Sequence, residues 1–120
     1  MAGCGGGGGD DLVTRGEVRN CLAQQGLTLK APSGATAGYA PLASASPEFA
    51  AYFADGRYVN VVVARSEVRA RREVADIKSA LQTFGVTDAK NRVILSRNAA
   101  AIFDKAPQPA QRDVVAGCLR

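Results

Sequence analysis

Histidine and tryptophan are both missing from this 120-residue chain. Without histidine there is no Ser-His-Asp or Cys-His catalytic arrangement and no HExxH zinc site, and the commonest transition-metal ligand is gone. An enzyme built on this chain would have to work with carboxylates, lysine, tyrosine or cysteine alone, and no constellation of those residues stands out. Long apolar runs are missing too: no stretch approaches the ~20 consecutive apolar residues that span a bilayer. Cysteine is scarce, at three, and no two cysteines are spaced C-x-x-C, so the usual dithiol redox motif is excluded. The sequence therefore reads as a non-enzyme with no catalytic residue, no metal site and no cofactor.

What is present fits one small folded unit. Apolar residues make up 47% of the chain and charged residues 22%, ordinary values for a globular domain. The formal net charge is +4, and arginine far outnumbers lysine. With so much Ala, Gly and Val, that bias reads first as codon usage and only second as function. A mild positive charge is compatible with anionic partners and identifies none of them.

Met1-Ala2-Gly3-Cys4 is followed by five glycines, Gly5 to Gly9, and then Asp10-Asp11. Two small residues before a cysteine, with a Gly-rich run after it, resemble the end of a bacterial lipobox and the tether behind it. That resemblance implies a lipid on Cys4 and anchorage at the extracytoplasmic face of the cell membrane. A lipoprotein signal also needs a basic start and an apolar stretch of roughly 7–15 residues ahead of the cysteine. The expectation is that the true start codon lies upstream; with Met1 as the true start, the chain would be cytoplasmic. Setting Cys4 aside leaves an even pair, Cys21 and Cys118, which an exported domain would join in one disulfide.

Along the chain, residues 1–13 read as a flexible Gly-rich tether and 14–120 as a single domain. Thr14 and Glu17 form a capping-box signature. Val18, Cys21 and Leu22 then make one apolar stripe on a short helix, which Gly26 stops. Leu27-Thr28-Leu29 reads as a brief strand. Residues 31–47 are small, uncharged and rich in proline, a surface loop. Phe49–Ala54 and Arg57–Ala64 flank Asp55-Gly56, the dipeptide of a two-residue type I′ hairpin. A short helix over 48–53, with Pro47 at its first position, is the alternative. Ser66 caps a helix over 67–84 whose stripe is Val74, Ile77, Leu81 and Phe84, with Gly85 as the stop. Val93-Ile94-Leu95 reads as a buried strand, turned by Arg97-Asn98 into Ala99–Phe103. Pro109 suits the first turn of a closing helix with Val114, Val115, Cys118 and Leu119 on its apolar side.

Helices alternating with hairpins in the order α-β-ββ-α-ββ-α predict an α+β fold. The expected form is a two-layer sandwich with an antiparallel or mixed sheet of about four or five strands and helices on one face. Cys21 and Cys118 share the pattern V-x-x-C-L on the two terminal helices, so a bridge between them would join the ends of the domain. The layout as a whole resembles that of small actinobacterial lipoproteins. The likeness lies in Ala2-Gly3-Cys4 with its glycines, in the stretch TRGEVRNCL from Thr14 to Leu22, and in PAQRDVVAGCLR from Pro109 to Arg120. It brings with it no activity.

Arg65, Arg69, Arg71 and Arg72 form the densest basic cluster and are the candidate anion-binding residues, for lipid headgroups or an anionic envelope polymer. The ordinary reading is a solvated helix face with i, i+4 pairs such as Arg69–Glu73 and Arg72–Asp76. Nucleic acid is not expected: the segment Asp55 to Val61 has a basic residue and Tyr58 but lacks the aromatic-rich RNA-binding consensus. The functional expectation is a cell-envelope interaction or binding module with the membrane as one partner through Cys4, and an anionic polymer or a protein as the other. The alternative is a cytosolic α+β subunit or regulator. A third reading is a small-ligand binder using the sheet around Tyr52, Tyr58 and Asn60.

Overall fold

Thr14 opens the fold. In a computed structural model, which describes residues 12–32, 48–83 and 85–120, the Glu17 amide donates to Thr14 Oγ1 at 3.1 Å and the Thr14 amide donates to the Glu17 carboxylate at 2.8 Å. Two amides orphaned by the helix start are thus satisfied reciprocally, as the capping box requires. The helix that follows, α1 (Arg15–Gln24), buries Val18 and Leu22. It ends at Gly26, whose φ of +92° is open to glycine and strained for other residues. Residues 1–11 with the expected tether and Cys4, residues 33–47 of the expected loop, and Phe84 lie outside the described residues.

Five strands follow: β1 (Thr28–Lys30), β2 (Phe49–Tyr52), β3 (Tyr58–Val63), β4 (Val93–Ser96) and β5 (Ala99–Phe103). They form one sheet in the order β1-β2-β3-β5-β4 with every pair antiparallel. Helices α2 (Glu67–Thr83), α3 (Ala89–Arg92) and α4 (Pro109–Leu119) complete the α+β fold. Segment 49–52 is a strand, not the alternative short helix. Ser66 caps α2, its hydroxyl accepting from the Arg69 amide at 3.1 Å, and Pro109 occupies the first turn of α4.

The β2–β3 hairpin falls where Asp55-Gly56 placed it, but its turn is of another type. A type I′ turn needs positive φ at both central residues, and of the two only Gly56 has it, at +91°. The Gly56 amide donates to the Phe53 carbonyl at 3.1 Å and the Phe53 amide to the Arg57 carbonyl at 2.8 Å. The loop therefore has three residues, a tight turn followed by a left-handed glycine. Asp55 stays in its preferred region because its carboxylate caps the turn, accepting from the Arg57 amide at 3.0 Å. The strands accordingly run from Phe49 to Tyr52 and from Tyr58 to Val63, shorter than the expected Phe49–Ala54 and Arg57–Ala64.

Strand alternation divides the apolar residues between two faces. On one face Phe49, Ala51, Val59, Val61, Ile94, Ala99, Ala101 and Phe103 pack with Val18 and Leu22 of α1 and Val115, Cys118 and Leu119 of α4. This is the expected sandwich of sheet and terminal helices. Each fully buried Val, Leu or Phe there stabilises the fold by roughly 1.5–3 kcal/mol. On the other face Val62, Val93, Ala100 and Ile102 meet Val74, Ile77 and Leu81 of α2 and Ala89 of α3. The long helix thus lies opposite the terminal pair, so helices occupy more than one face. The cause is the second, partly apolar side of β3 and β5, where Val62 and Ile102 need cover. Leu95, expected to be buried, is 38% exposed on the edge strand β4.

Candidate functional site

Cys21 sits on α1 and Cys118 on α4, and the two helices pack side by side on the sheet. Their sulfurs are bonded, with Cα atoms 5.5 Å apart and a sequence separation of 97. That spacing is the usual one for a disulfide. The bond closes nearly the whole domain into one loop and ties its first helix to its last. Cys4, the third cysteine, lies outside the described residues.

The four arginines singled out as an anion site do not share one surface. Arg65 precedes the Ser66 cap, whereas Arg69, Arg71 and Arg72 lie on α2, and all four are exposed. Arg69 and Arg72 are on neighbouring helix positions, but Arg71 is rotated about 200° from Arg69 around the axis. Arg69 pairs with Glu73 at 3.6 Å and Arg71 with Glu67 at 3.7 Å. Glu73 is largely covered, whereas Arg71–Glu67 is exposed on both sides, and an exposed i, i+4 pair contributes about 0.3–0.5 kcal/mol. The positive charge of this stretch is thus partly matched along its own helix.

The sheet carries a different set. On the face shared with α2, Tyr52 and Tyr58 are directly cross-strand and stack with ring centroids 5.0 Å apart. Lys30, from the edge strand, places its ammonium 4.9 Å from the Tyr52 ring centre, within cation–π range. Both tyrosines are half-buried, and Asn60, the third residue of the small-ligand reading, has no exposed surface. An amide so enclosed does not present itself at the surface, so the ladder that reaches outward is Lys30, Tyr52 and Tyr58. A depression of about 380 Å³ lies elsewhere, lined by Gln82, Gly85, Val86, Thr87, Ala89 and Lys90. Lys90 is its only charged group, and it offers no acid–base pair.

Two polar junctions were not visible in the sequence pattern, one at each end of the sheet. At one end Asn98, only 2% exposed, joins three segments. Its side-chain nitrogen donates to the Val13 and Ala64 carbonyls, each at 2.9 Å, and its side-chain oxygen accepts from the Val13 amide at 2.9 Å. The Asn98 carbonyl accepts from the Ala64 amide at 2.7 Å. Beside it Glu48 accepts from the Val63 amide at 3.0 Å and lies 3.8 Å from Arg15. At the other end Asp104 accepts from the Tyr58 amide at 3.0 Å, and the Arg92 guanidinium donates to the Asp104 carbonyl at 2.8 Å. There too, Asp55 receives the Arg57 guanidinium at 2.6 Å and the Gln111 amide at 2.9 Å. The Arg57 backbone amide, then the Arg57 and Gln111 side chains, hold the Asp55 carboxyl below its ordinary value.

Among the described residues no group of three or more His, Cys, Asp or Glu is placed to hold a metal ion. None of the described helices is long and apolar enough to cross a membrane. The sequence matches no protein-family model and no curated protein, and the fold matches no solved structure.

Proposed function

We propose that this chain is a cell-envelope binding module of the lipoprotein type, held at the extracytoplasmic membrane face by a lipid on Cys4 and without catalytic chemistry of its own. The observation that supports this reading is the Cys21–Cys118 bond. Disulfides of this kind persist in oxidising compartments and are rare where thiols are kept reduced. With that pair joined, Cys4 is the one cysteine left over, and it stands in the Ala2-Gly3-Cys4-Gly setting that suits lipid attachment. The partner is bound by the folded domain, and its chemistry is that of an anionic envelope polymer or a protein.

The test is an intact mass and a non-reducing tryptic map of the protein taken from its own cells. The expected result is a lipid-modified N-terminal Cys4 and a linked pair of peptides, Asn20–Lys30 with Asp113–Arg120. A peptide that begins at Met1 or Ala2, with three thiols open to alkylation, would overturn the reading in favour of a cytosolic subunit.

A further inference from the structure

Three large apolar side chains stand exposed among the described residues: Leu12 at 39%, Val68 at 61% and Leu95 at 38%. The topology puts all three towards the Asn98 end of the sheet. Leu12 is next to Val13, whose backbone Asn98 holds on both sides. Val68 is four residues past Ala64, the other segment bound by Asn98. Leu95 is three residues before Asn98 on the same hairpin. Single exposed apolar residues need no explanation, but their gathering at one end of a domain does.

That end is also where the N-terminal segment leaves the domain. Cys4 and Leu12 are eight residue steps apart, so a group on Cys4 is never more than about 28 Å from Leu12 even with the backbone fully extended. Because Val13 is clamped, the point from which the segment departs is fixed relative to the sheet. Resting on the lipoprotein reading above, we infer that the Asn98 end of the domain is its lipid-facing surface. Leu12, Val68 and Leu95 enter the headgroup boundary there, and exposed Arg65 and Arg97 flank them at phosphate level.

The contact is mainly apolar. Arg15, Arg65 and Arg97 are set against Glu48, Glu67 and Glu17 on the domain and Asp10 and Asp11 in the tether, so net attraction to anionic lipid is small. Glu48 and Glu67 are themselves paired, with Arg15 and Arg71. What brings the surface to the bilayer is the short tether, which raises the effective concentration of one end over every other. Shallow apolar side chains with flanking arginine stems are the combination that rests at the headgroup boundary.

The absence of tryptophan makes the test direct. The full chain, with Cys21 and Cys118 bonded, offers Cys4 as its one thiol for coupling to a maleimide lipid in phosphatidylcholine–phosphatidylglycerol vesicles. Three single-tryptophan variants, V68W, L95W and K105W, are coupled in turn. Lys105 lies at the opposite end of the sheet, next to Asp104. Quenching by lipids spin-labelled near the headgroup is expected to be roughly twofold or more stronger for V68W and L95W than for K105W, with a blue-shifted emission, and to change little with salt. Equal quenching at all three positions, or stronger quenching at Lys105→Trp, overturns the surface. Since the vesicles supply their own anchor, such a failure says nothing against Cys4 lipidation. A native chain with an unmodified Cys4 removes the anchor, and with it this inference, whatever the vesicles report.

Discussion

Asn98 grips Val13 with both ends of its amide. The side-chain oxygen takes the Val13 N–H and the side-chain nitrogen gives to the Val13 carbonyl, each at 2.9 Å across 85 residues of sequence. The same nitrogen reaches the Ala64 carbonyl, so one buried side chain joins the start of the domain, the end of β3 and the β4–β5 turn. Asn98→Ala leaves these backbone groups without their partner in a nearly sealed site. The expected loss of stability is about 2–4 kcal/mol, read as a lowered urea midpoint. Asn20→Ala, at an exposed position of α1, is expected to change it by under about 0.5 kcal/mol. Equal effects at the two sites would show that the grip contributes nothing.

This junction marks the limit of what the sequence reveals. Local signals did well: Thr14 with Glu17, Ser66 before α2 and Pro109 before α4 all start helices where their chemistry says they should. Asp55-Gly56 gave the position of its hairpin but not its turn type, because the outcome turned on which backbone amide Asp55 would cap. Arg97-Asn98 read only as a turn into the strand Ala99–Phe103. Nothing in the neighbourhood of Asn98 announces that its partners are 85 and 34 residues away. The side of the sheet taken by α2 was half legible in Val62, which breaks the in–out alternation of β3. The Tyr52–Tyr58 stack was not legible either, because a two-residue turn at Asp55-Gly56 sets Tyr52 opposite Val59 and only the three-residue loop sets it opposite Tyr58. The ammonium above Tyr52 comes from Lys30, one residue past the expected strand over 27–29.

The Cys21–Cys118 bond closes a loop of 97 residues. In the chain-entropy model a loop of that length is worth about 4–5 kcal/mol, and measured values usually fall lower. The double variant C21S/C118S is expected to lose about 2–5 kcal/mol while folding to the same structure, since Val18, Leu22, Val115 and Leu119 still pack against the sheet. Chemical denaturation with and without reductant checks this. Reductant is expected to lower the midpoint of the parent chain and leave that of the variant unchanged. A parent midpoint indifferent to reductant would show that the bond does not form in solution.

Gly56 sits at φ +91° with nothing within 4 Å of where a Cβ would be. Substitution there meets backbone strain and no clash. Gly56→Ala is expected to cost about 1–2 kcal/mol and Gly56→Asn less, since asparagine tolerates left-handed backbone best among the residues with a side chain. The order of urea midpoints, glycine above asparagine above alanine, is the check. Reversal of the last two would mean that the turn changes type to suit the new residue.

Asp55 gives the fold a predictable response to acid. Its carboxyl is held below the ordinary carboxylate value, first by the Arg57 backbone amide and then by the Arg57 and Gln111 side chains. A carboxyl with a folded pKa below its unfolded one contributes stability that is complete above the unfolded value and is lost as pH falls through the folded value. The window therefore opens near pH 4 and extends downward, with no change expected between pH 5 and 7 from this group. Asp55→Asn removes the titration while keeping the side chain's shape and its ability to accept from the Arg57 amide. Urea midpoints of parent and variant measured from pH 7 to pH 2.5 are expected to differ by a constant amount down to about pH 5 and to converge below pH 4. The group is exposed, so salt is expected to shrink the difference without moving the window. Curves that stay parallel to the lowest pH would mean that Asp55 holds the turn by geometry alone, with its charge irrelevant to the link between the β2–β3 loop and the first turn of α4.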